Sequence, residues 1–392
     1  MSELPTPVQA LVARADTLYR DYSLASVREW KARTGGPAVG YMPIYVPCEL
    51  MHAQGVLPVG LMGARDDLEI IKGDAYYQSY ICHIPRSTIE LGLSGRLDCL
   101  DGVLFPAICD VIRNLSGMWT MLFPGKLVKY LDVPQNFEPA IGGRFYRHEL
   151  ESLATALTTI GGRPYDAGAL RDAIVEYNAL RREVRGLYAL RQREPWKVPT
   201  SELYLLLRAS LVLPVSKATA MLAEYARLAA ADTSRAPLDQ ARVMLTGSFC
   251  EQPPIGLIRT LERAGCYIVD DDFVQIHRFI KSDIPIDGDP LDNLVNAFLG
   301  DAMASPTRYI DRAEKGADLI LRIRRGRAEG VLFCAPSFCD PALLDQPMAV
   351  AAVEREGIPW TAFKYAENTG QFQVIREQAG TFADSIKLWS AV

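Results

Sequence analysis

The sequence predicts an α/β fold: two Rossmann/flavodoxin-like parallel-sheet domains with an intervening helical region. Three observations carry that reading. Short apolar runs alternate with helical patterns in the first and last thirds of the chain, as a parallel sheet with covering helices requires. Between residues 145 and 235 strand signals fade, and long helical patterns rich in Leu, Ala, Arg and Glu replace them. The 392 residues also exceed what one ordinary core supports. The expected divisions are an N-terminal α/β domain over 1–144, a helical region over 145–240 and a C-terminal α/β domain over 241–392.

Each element follows from its residues. Leu11, Ala15, Leu18, Tyr19 and Tyr22 recur at helical spacing, which predicts a helix over 11–35 that Gly35-Gly36-Pro37 ends. Ala38 to Val46 is an apolar run suited to a buried strand. Pro47 and Glu49 open a helical stretch to Gln54, and Gly55 closes it. Val56 to Leu61 is the next strand, and Asp101 to Pro106 another, followed by Ala107-Ile108-Cys109-Asp110 and a helix through Trp119. Ala169 to Arg191 typifies the helical region, whose charged faces read as solvated surface. The α/β pattern returns with a strand from Ala241 to Gly247, a helix from Pro254 to Ala264 and a strand from Cys266 to Asp270. A helix around Ile310–Arg325, a strand from Gly330 to Cys334, a helix from Met348 to Glu356 and a strand from Ile358 to Tyr365 complete the series.

Composition excludes several classes. Hydrophobic residues make up 49% and charged residues 23%, as in an ordinary soluble enzyme. A net charge of −5 gives no electrostatic footprint for nucleic acid, and no basic amphipathic run suits a membrane surface. The segment Met1 to Ala10 is polar and lacks the regions of a secretory signal. The most apolar helical stretch, Leu203 to Val215, is interrupted by Arg208 and Ser210 and is shorter than the roughly 20 residues of a membrane span. A cytoplasmic location is expected.

Motif chemistry narrows the choice further. No glycine-rich dinucleotide fingerprint, phosphate-cradling loop, His-Glu-x-x-His pair or nucleophile elbow is present, so no nucleotide is expected on this chain. Eight cysteines remain, none in a Cys-x-x-Cys pair, which argues against zinc ribbons and ferredoxin-type clusters. In a reducing compartment they are not a disulfide framework. Cys109 and Cys339 each lie just past a predicted strand end, one in each half, where open α/β sheets bind ligands. Cys82 lies in the Tyr-rich segment Asp74 to Arg86. The three could converge where the domains meet.

The contexts of these cysteines are distinctive. They are Gly73-Asp74-Ala75-Tyr76-Tyr77-Gln78-Ser79-Tyr80-Ile81-Cys82, Cys109-Asp110-Val111-Ile112-Arg113-Asn114-Leu115-Ser116-Gly117-Met118-Trp119 and Pro336-Ser337-Phe338-Cys339-Asp340-Pro341. Together with Met42-Pro43-Ile44-Tyr45-Val46-Pro47-Cys48-Glu49-Leu50, Leu245-Thr246-Gly247-Ser248 and Val269-Asp270-Asp271-Asp272-Phe273, they resemble the 2-hydroxyglutaryl-CoA dehydratase and benzoyl-CoA reductase family over nearly the whole chain. Within that family the likeness is greatest to the smaller, C or gamma, catalytic subunit of ATP-dependent benzoyl-CoA reductases.

The resemblance implies an iron–sulfur cluster, most simply a [4Fe-4S] cubane, on Cys82, Cys109 and Cys339. Three thiolates would leave one iron open to water, sulfide or a substrate oxygen. Tyr76, Tyr77, Tyr80 and Arg86 are candidates for contacts to the cluster, with plain packing at a domain interface as the alternative. Cys334 is the substitute for Cys339. Cys48, Cys99, Cys250 and Cys266 read as packing residues. Cys48 and Cys250 follow strand ends, and a part for either in the site would leave room for a cluster larger than a cubane.

The implied activity is low-potential single-electron reduction of benzoyl-CoA, or an analogue, to a cyclic dienoyl-CoA. The implied partners are a homologous larger catalytic subunit, ATP-hydrolysing iron–sulfur activator subunits, reduced ferredoxin as upstream donor and the acyl-CoA substrate. Rival readings are a subunit of a 2-hydroxyacyl-CoA dehydratase, a non-catalytic electron-relay or scaffold subunit, and a zinc-bound or metal-free structural protein.

Overall fold

A computed structural model of the chain describes residues 5–65, 68–308, 315–366 and 372–390. The chain opens with α1 (Pro7–Arg20), which Thr6 and Gln9 cap reciprocally and Pro7 starts. The helix expected over 11–35 is two helices. Asp21 accepts the amides of Ser23 and Ala25 and turns the chain into α2 (Ala25–Thr34).

β1 (Ala38–Tyr41) is shorter than its apolar run because Pro43 cannot donate to a ladder, and Met42 to Val46 continue as a buried turn. α3 (Cys48–Ala53), β2 (Leu57–Gly60), α4 (His83–Leu93), β3 (Gly102–Pro106), α5 (Asp110–Leu122) and β4 (Leu127–Leu131) follow. The strands form one parallel sheet in the order β2-β1-β3-β4. The sequence reading lacks α4 and β4. β4 is a half-exposed edge strand carrying Lys129, so its apolar signal is weak.

Four helices come next: α6 (Arg144–Thr158), α7 (Ala167–Arg193), α8 (Thr200–Ser210) and α9 (Val215–Ala231). α7 touches α3 on one side and the second sheet on the other, while α1 packs against α8 and α9. The helices expected between the two sheets therefore bridge them.

The second parallel sheet is built from β5 (Ala241–Thr246), β6 (Cys266–Asp271), β7 (Gly330–Pro336) and β8 (Trp360–Tyr365), in the order β6-β5-β7-β8. The helices of this part are α10 (Ile255–Arg263), α11 (Pro290–Gly300), α12 (Ala317–Gly326), α13 (Asp340–Arg355) and α14 (Phe372–Ser390); α10, α12, α13 and α14 pack on the second sheet, whereas α11 packs against α6 and α7 in the core of the first half. The helix expected around Ile310–Arg325 is α12, and residues 310–314 of that span lie outside the described residues. The helix expected from Met348 starts earlier, at Asp340, with Pro341 in its first turn. α11 and α14 are further elements absent from the sequence reading. Both sheets are thus parallel and share one strand order. Among the described residues no helix is long and apolar enough to cross a membrane.

The charged face of α7 is not wholly solvated. Arg191 is fully buried and pairs with Asp271 at 2.7 Å, and Arg181 pairs with the buried Glu49. Around the end of β6, Arg278 and Arg322 each reach Asp270 at 2.9 Å, Arg322 reaches Asp272 at 2.6 Å and the Tyr188 hydroxyl donates to Asp271 at 2.7 Å. Burial alone would raise the Asp270 carboxyl. The Arg322 and Arg278 guanidiniums outweigh it and hold the group well below the usual carboxylate range.

Removing one member of such a network strands the others without water. Asp270→Asn is expected to cost about 3–5 kcal/mol, read as a lower denaturation midpoint. Because the folded-state value is depressed, the Asp270 contribution is complete above the unfolded carboxylate range of about pH 4 and fades as pH falls toward the folded value. The variant should accordingly lose less stability on acidification than the parent.

Candidate functional site

In each sheet the strand order reverses at the pair formed by its first and third strands, β1/β3 and β5/β7. Crevices at such reversals, outside the carboxyl ends of the strands, are where open α/β sheets place ligands. A cavity of about 690 Å³ occupies this position, with Pro43 and Cys109 from beyond β1 and β3 and with Cys250 and Cys339 from beyond β5 and β7 on its wall. Cys82 and Glu251 also face it. The three cysteines singled out in the sequence are thus brought together from both halves of the chain.

Local structure gives the three a common setting. Cys82, Cys109 and Cys339 each occupy the N-cap position, of α4, α5 and α13 respectively. The Cys109 sulfur takes hydrogen bonds from the first-turn amides of Val111 and Ile112, and the Cys339 sulfur from the first-turn amide of Ala342 and from the amide of Cys250 in the loop after β5. Unpaired amides and the positive end of the helix dipole favour negative charge at these positions.

Burial acts the other way. It pushes the Cys339 thiol up to about 12 and raises Cys82, where the Glu251 charge and the thiols of Cys339 and Cys109 add to it. Cys250 is raised well above its usual value by burial and then by Cys339, Cys109 and Cys82. Left to themselves these thiols stay protonated. A group that supplies positive charge at the sulfurs offsets the burial cost and makes them thiolate donors.

The donor set suits an extended group better than a point charge. Among the described residues, no three His, Cys, Asp or Glu side chains gather closely enough to hold a single metal ion. The thiols stand around a space, and sulfur donors on several walls of it fit a polynuclear iron–sulfur group.

Glu251 faces the cavity, and His83 braces it from behind. The Glu251 carboxylate accepts the His83 amide at 2.8 Å, and burial raises its carboxyl to about 7. Burial also lowers His83 to about 4, so the ring is neutral at pH 7 and Nε2–H donates to the Ala64 carbonyl at 2.9 Å. The segment carrying Cys250 and Glu251 is clamped. Ser248 donates to the Cys334 carbonyl at 2.9 Å, and the Tyr365 hydroxyl donates to the Glu251 carbonyl at 2.7 Å. Gly247 lies at φ +103 against the backbone of Cys334, a conformation and a close approach that suit glycine.

The other expected residues divide. Tyr77 lies beside the site: its hydroxyl donates to the Val111 carbonyl at 3.3 Å, and it is raised by burial and then by Cys82 and Cys109. Arg86 pairs with Asp74 at 2.7 Å, and its charge reaches Cys82 and Glu251. Tyr76 and Tyr80 are exposed, Tyr80 by 62%, and neither lines the cavity. Cys334 is buried within β7. Cys48 lies apart, beside Tyr41 and Arg181. Cys250 is assigned to packing in the sequence reading, whereas the structure sets it on the cavity wall. The available signal was its place after β5, matching that of Cys339 after β7. Glu251 carried no signal in the sequence.

The chain belongs to the family described as 2-hydroxyglutaryl-CoA dehydratase, D-component, which matches residues 43–386. It is 53% identical to the C subunit of benzoyl-CoA reductase from Thauera aromatica, over 97% of this chain and 99% of that protein. It is 28% identical to the beta subunit of lactoyl-CoA dehydratase from Anaerotignum propionicum, over 91% and 94% of the two chains. Identity to the beta subunit of (R)-2-hydroxyglutaryl-CoA dehydratase from Acidaminococcus fermentans is also 28%, over 91% and 94%. Each of these relatives is one subunit of an acyl-CoA reductase or dehydratase.

The Glu251–His83 contact makes a direct prediction. Glu251→Ala removes the acceptor of a buried amide and should cost about 1–3 kcal/mol in thermal or chemical unfolding. Glu251→Gln keeps an acceptor and should recover most of that loss.

Proposed function

We propose that this chain is an iron–sulfur subunit of an ATP-dependent benzoyl-CoA reductase, working by low-potential single-electron transfer on benzoyl-CoA or a close analogue to give a cyclic dienoyl-CoA. One observation carries the reading: Cys82, Cys109 and Cys339 meet on one cavity in a chain so similar to a benzoyl-CoA reductase component. These three residues would hold the cluster, a [4Fe-4S] cubane in the simplest case. When bound, such a cluster supplies single electrons at low potential.

The residues of the chain set the conditions for that transfer. First-turn amides at α5 and α13 direct partial positive charge at the Cys109 and Cys339 sulfurs and disperse charge added to the site. Ile84, Ile108 and Pro341 line the cavity with apolar surface that keeps water away from a reactive aromatic thioester. The thioester carbonyl spreads the charge of the first electron, and fixed donors in a dry site favour that spread.

The remaining parts belong to partners. No phosphate-cradling loop occurs in the sequence, so ATP hydrolysis falls to activator subunits that carry their own iron–sulfur cluster and take electrons from reduced ferredoxin. The substrate pocket is completed by a larger homologous subunit. The complex operates in the cytoplasm.

Two experiments test this. Cys82→Ala, Cys109→Ala or Cys339→Ala should remove most iron from the anaerobically purified complex, whereas Cys99→Ala and Cys266→Ala should leave it in place. Full iron content and activity in Cys109→Ala would defeat the assignment. Separately, the subunit should hydrolyse no ATP, and addition of the activator and the homologous partner should bring both ATP turnover and net consumption of reductant with benzoyl-CoA. Turnover of a 2-hydroxyacyl-CoA without net reductant would point to a dehydratase instead.

A further inference from the structure

Three thiolates on a cubane leave one iron without a protein ligand, yet the cavity has a fourth thiol. Cys250 follows β5 as Cys339 follows β7, and β5 and β7 are adjacent at the reversal of strand order. The two cysteines thus flank one crevice, and the amide of Cys250 donates to the Cys339 sulfur. Cys250 lines the same cavity as Cys82, Cys109 and Cys339. The bonds from Ser248 and Tyr365 hold its segment in place.

We propose that Cys250 is a fourth protein ligand, so that this chain holds a cubane closed by four thiolates, two from each half. The proposal rests on the reading that the cavity holds an iron–sulfur cluster. On ligation the Cys250 thiol gives its proton to solvent, and its sulfur takes the coordination position that water would otherwise occupy. No electron moves in this step. Glu251 is the competing donor on this wall, but its carboxylate is engaged by the His83 amide, and thiolate is the better match to a sulfur-rich iron group. A closed cluster passes electrons without offering an iron to a substrate oxygen. Electrons then reach the aromatic thioester from the closed cluster without an iron–oxygen bond.

The test uses the anaerobically purified complex and a readout independent of turnover. A cubane with an open iron loses that iron on mild oxidation and becomes a three-iron cluster, and one held by four thiolates resists. With stoichiometric ferricyanide, the unaltered complex should keep the iron of this subunit and show no three-iron paramagnetic signal from it. Cys250→Ala should assemble a cluster, then give that signal and lose about a quarter of the subunit's iron under the same treatment. Cys250→Ser, which retains a weaker donor, should fall between them.

A three-iron signal from the unaltered complex as strong as from Cys250→Ala overturns the proposal. So does the signal appearing in Glu251→Gln but not in Cys250→Ala, which would make the carboxylate the ligand. Iron in excess of one cubane in this subunit overturns the four-thiolate cubane. If Cys250→Ala does not accumulate, the response of the unaltered subunit decides alone. Lack of any cluster in the unaltered subunit defeats the underlying functional reading, whereas a cluster with an open iron defeats only the role of Cys250.

Discussion

Gathering thiols from both halves of the chain on the wall of one cavity is the constraint around which this fold is arranged. Each thiolate loses hydration on burial, and each is disfavoured further by the next. The chain answers with backbone. Three cysteines stand at helix N-caps, and amides of the first turns of α5 and α13 point at two of the sulfurs. Backbone amides carry no counter-charge that titrates and need no side-chain ordering, so they compensate added negative charge at fixed cost. The same geometry explains why the cysteines are scattered in sequence. Each needs its own strand end or helix start, and a Cys-x-x-Cys pair would supply only one.

Holding donors from two sheets around one space requires that the sheets keep their relation. α7 does much of this by touching α3 and β6 together. Its buried arginines fix the contact at both ends: Arg181 to Glu49 of the first half and Arg191 to Asp271 of the second. Buried ion pairs contribute little net stability relative to apolar packing, but they tolerate few alternative arrangements once all their partners are present. Here they stand where relative sliding of the halves would separate Cys82 and Cys109 from Cys250 and Cys339.

The sequence disclosed the parts of this design that depend on periodicity. The alternation that defines two α/β halves, the helical stretch between them and the position of Cys109 and Cys339 past strand ends were all legible. Elements without a strong apolar period were not. β4 is half-exposed at a sheet edge, and α4 begins in a polar, Tyr-rich stretch. Tertiary context also reversed some readings. Arg191 looks like solvated helix surface in sequence but is buried because Asp271 waits across the interface. Tyr76 and Tyr80 share a segment with Cys82 yet face outward, whereas Tyr77 turns in beside α5. In sequence Cys250 carries one signal, its place after a strand end, which Cys48 shares without joining the cavity. Only the pairing of β5 with β7 sets it opposite Cys339.

A cofactor held from both halves would also act on the fold that holds it. Until such a group binds, the halves are joined by α7, the arginine–carboxylate network and apolar contact, and the raised thiols at the cavity stay protonated and contribute little. Binding adds metal–sulfur bonds that cross between the halves, and its free energy becomes free energy of their association. Rigid separation of the donors would follow, and a group that passes electrons would benefit, since motion of its ligands on each change of charge adds to the barrier. The clamp on the Ser248 to Glu251 segment, the helix-capping positions and the buried ion pairs all limit how far the sulfurs can shift.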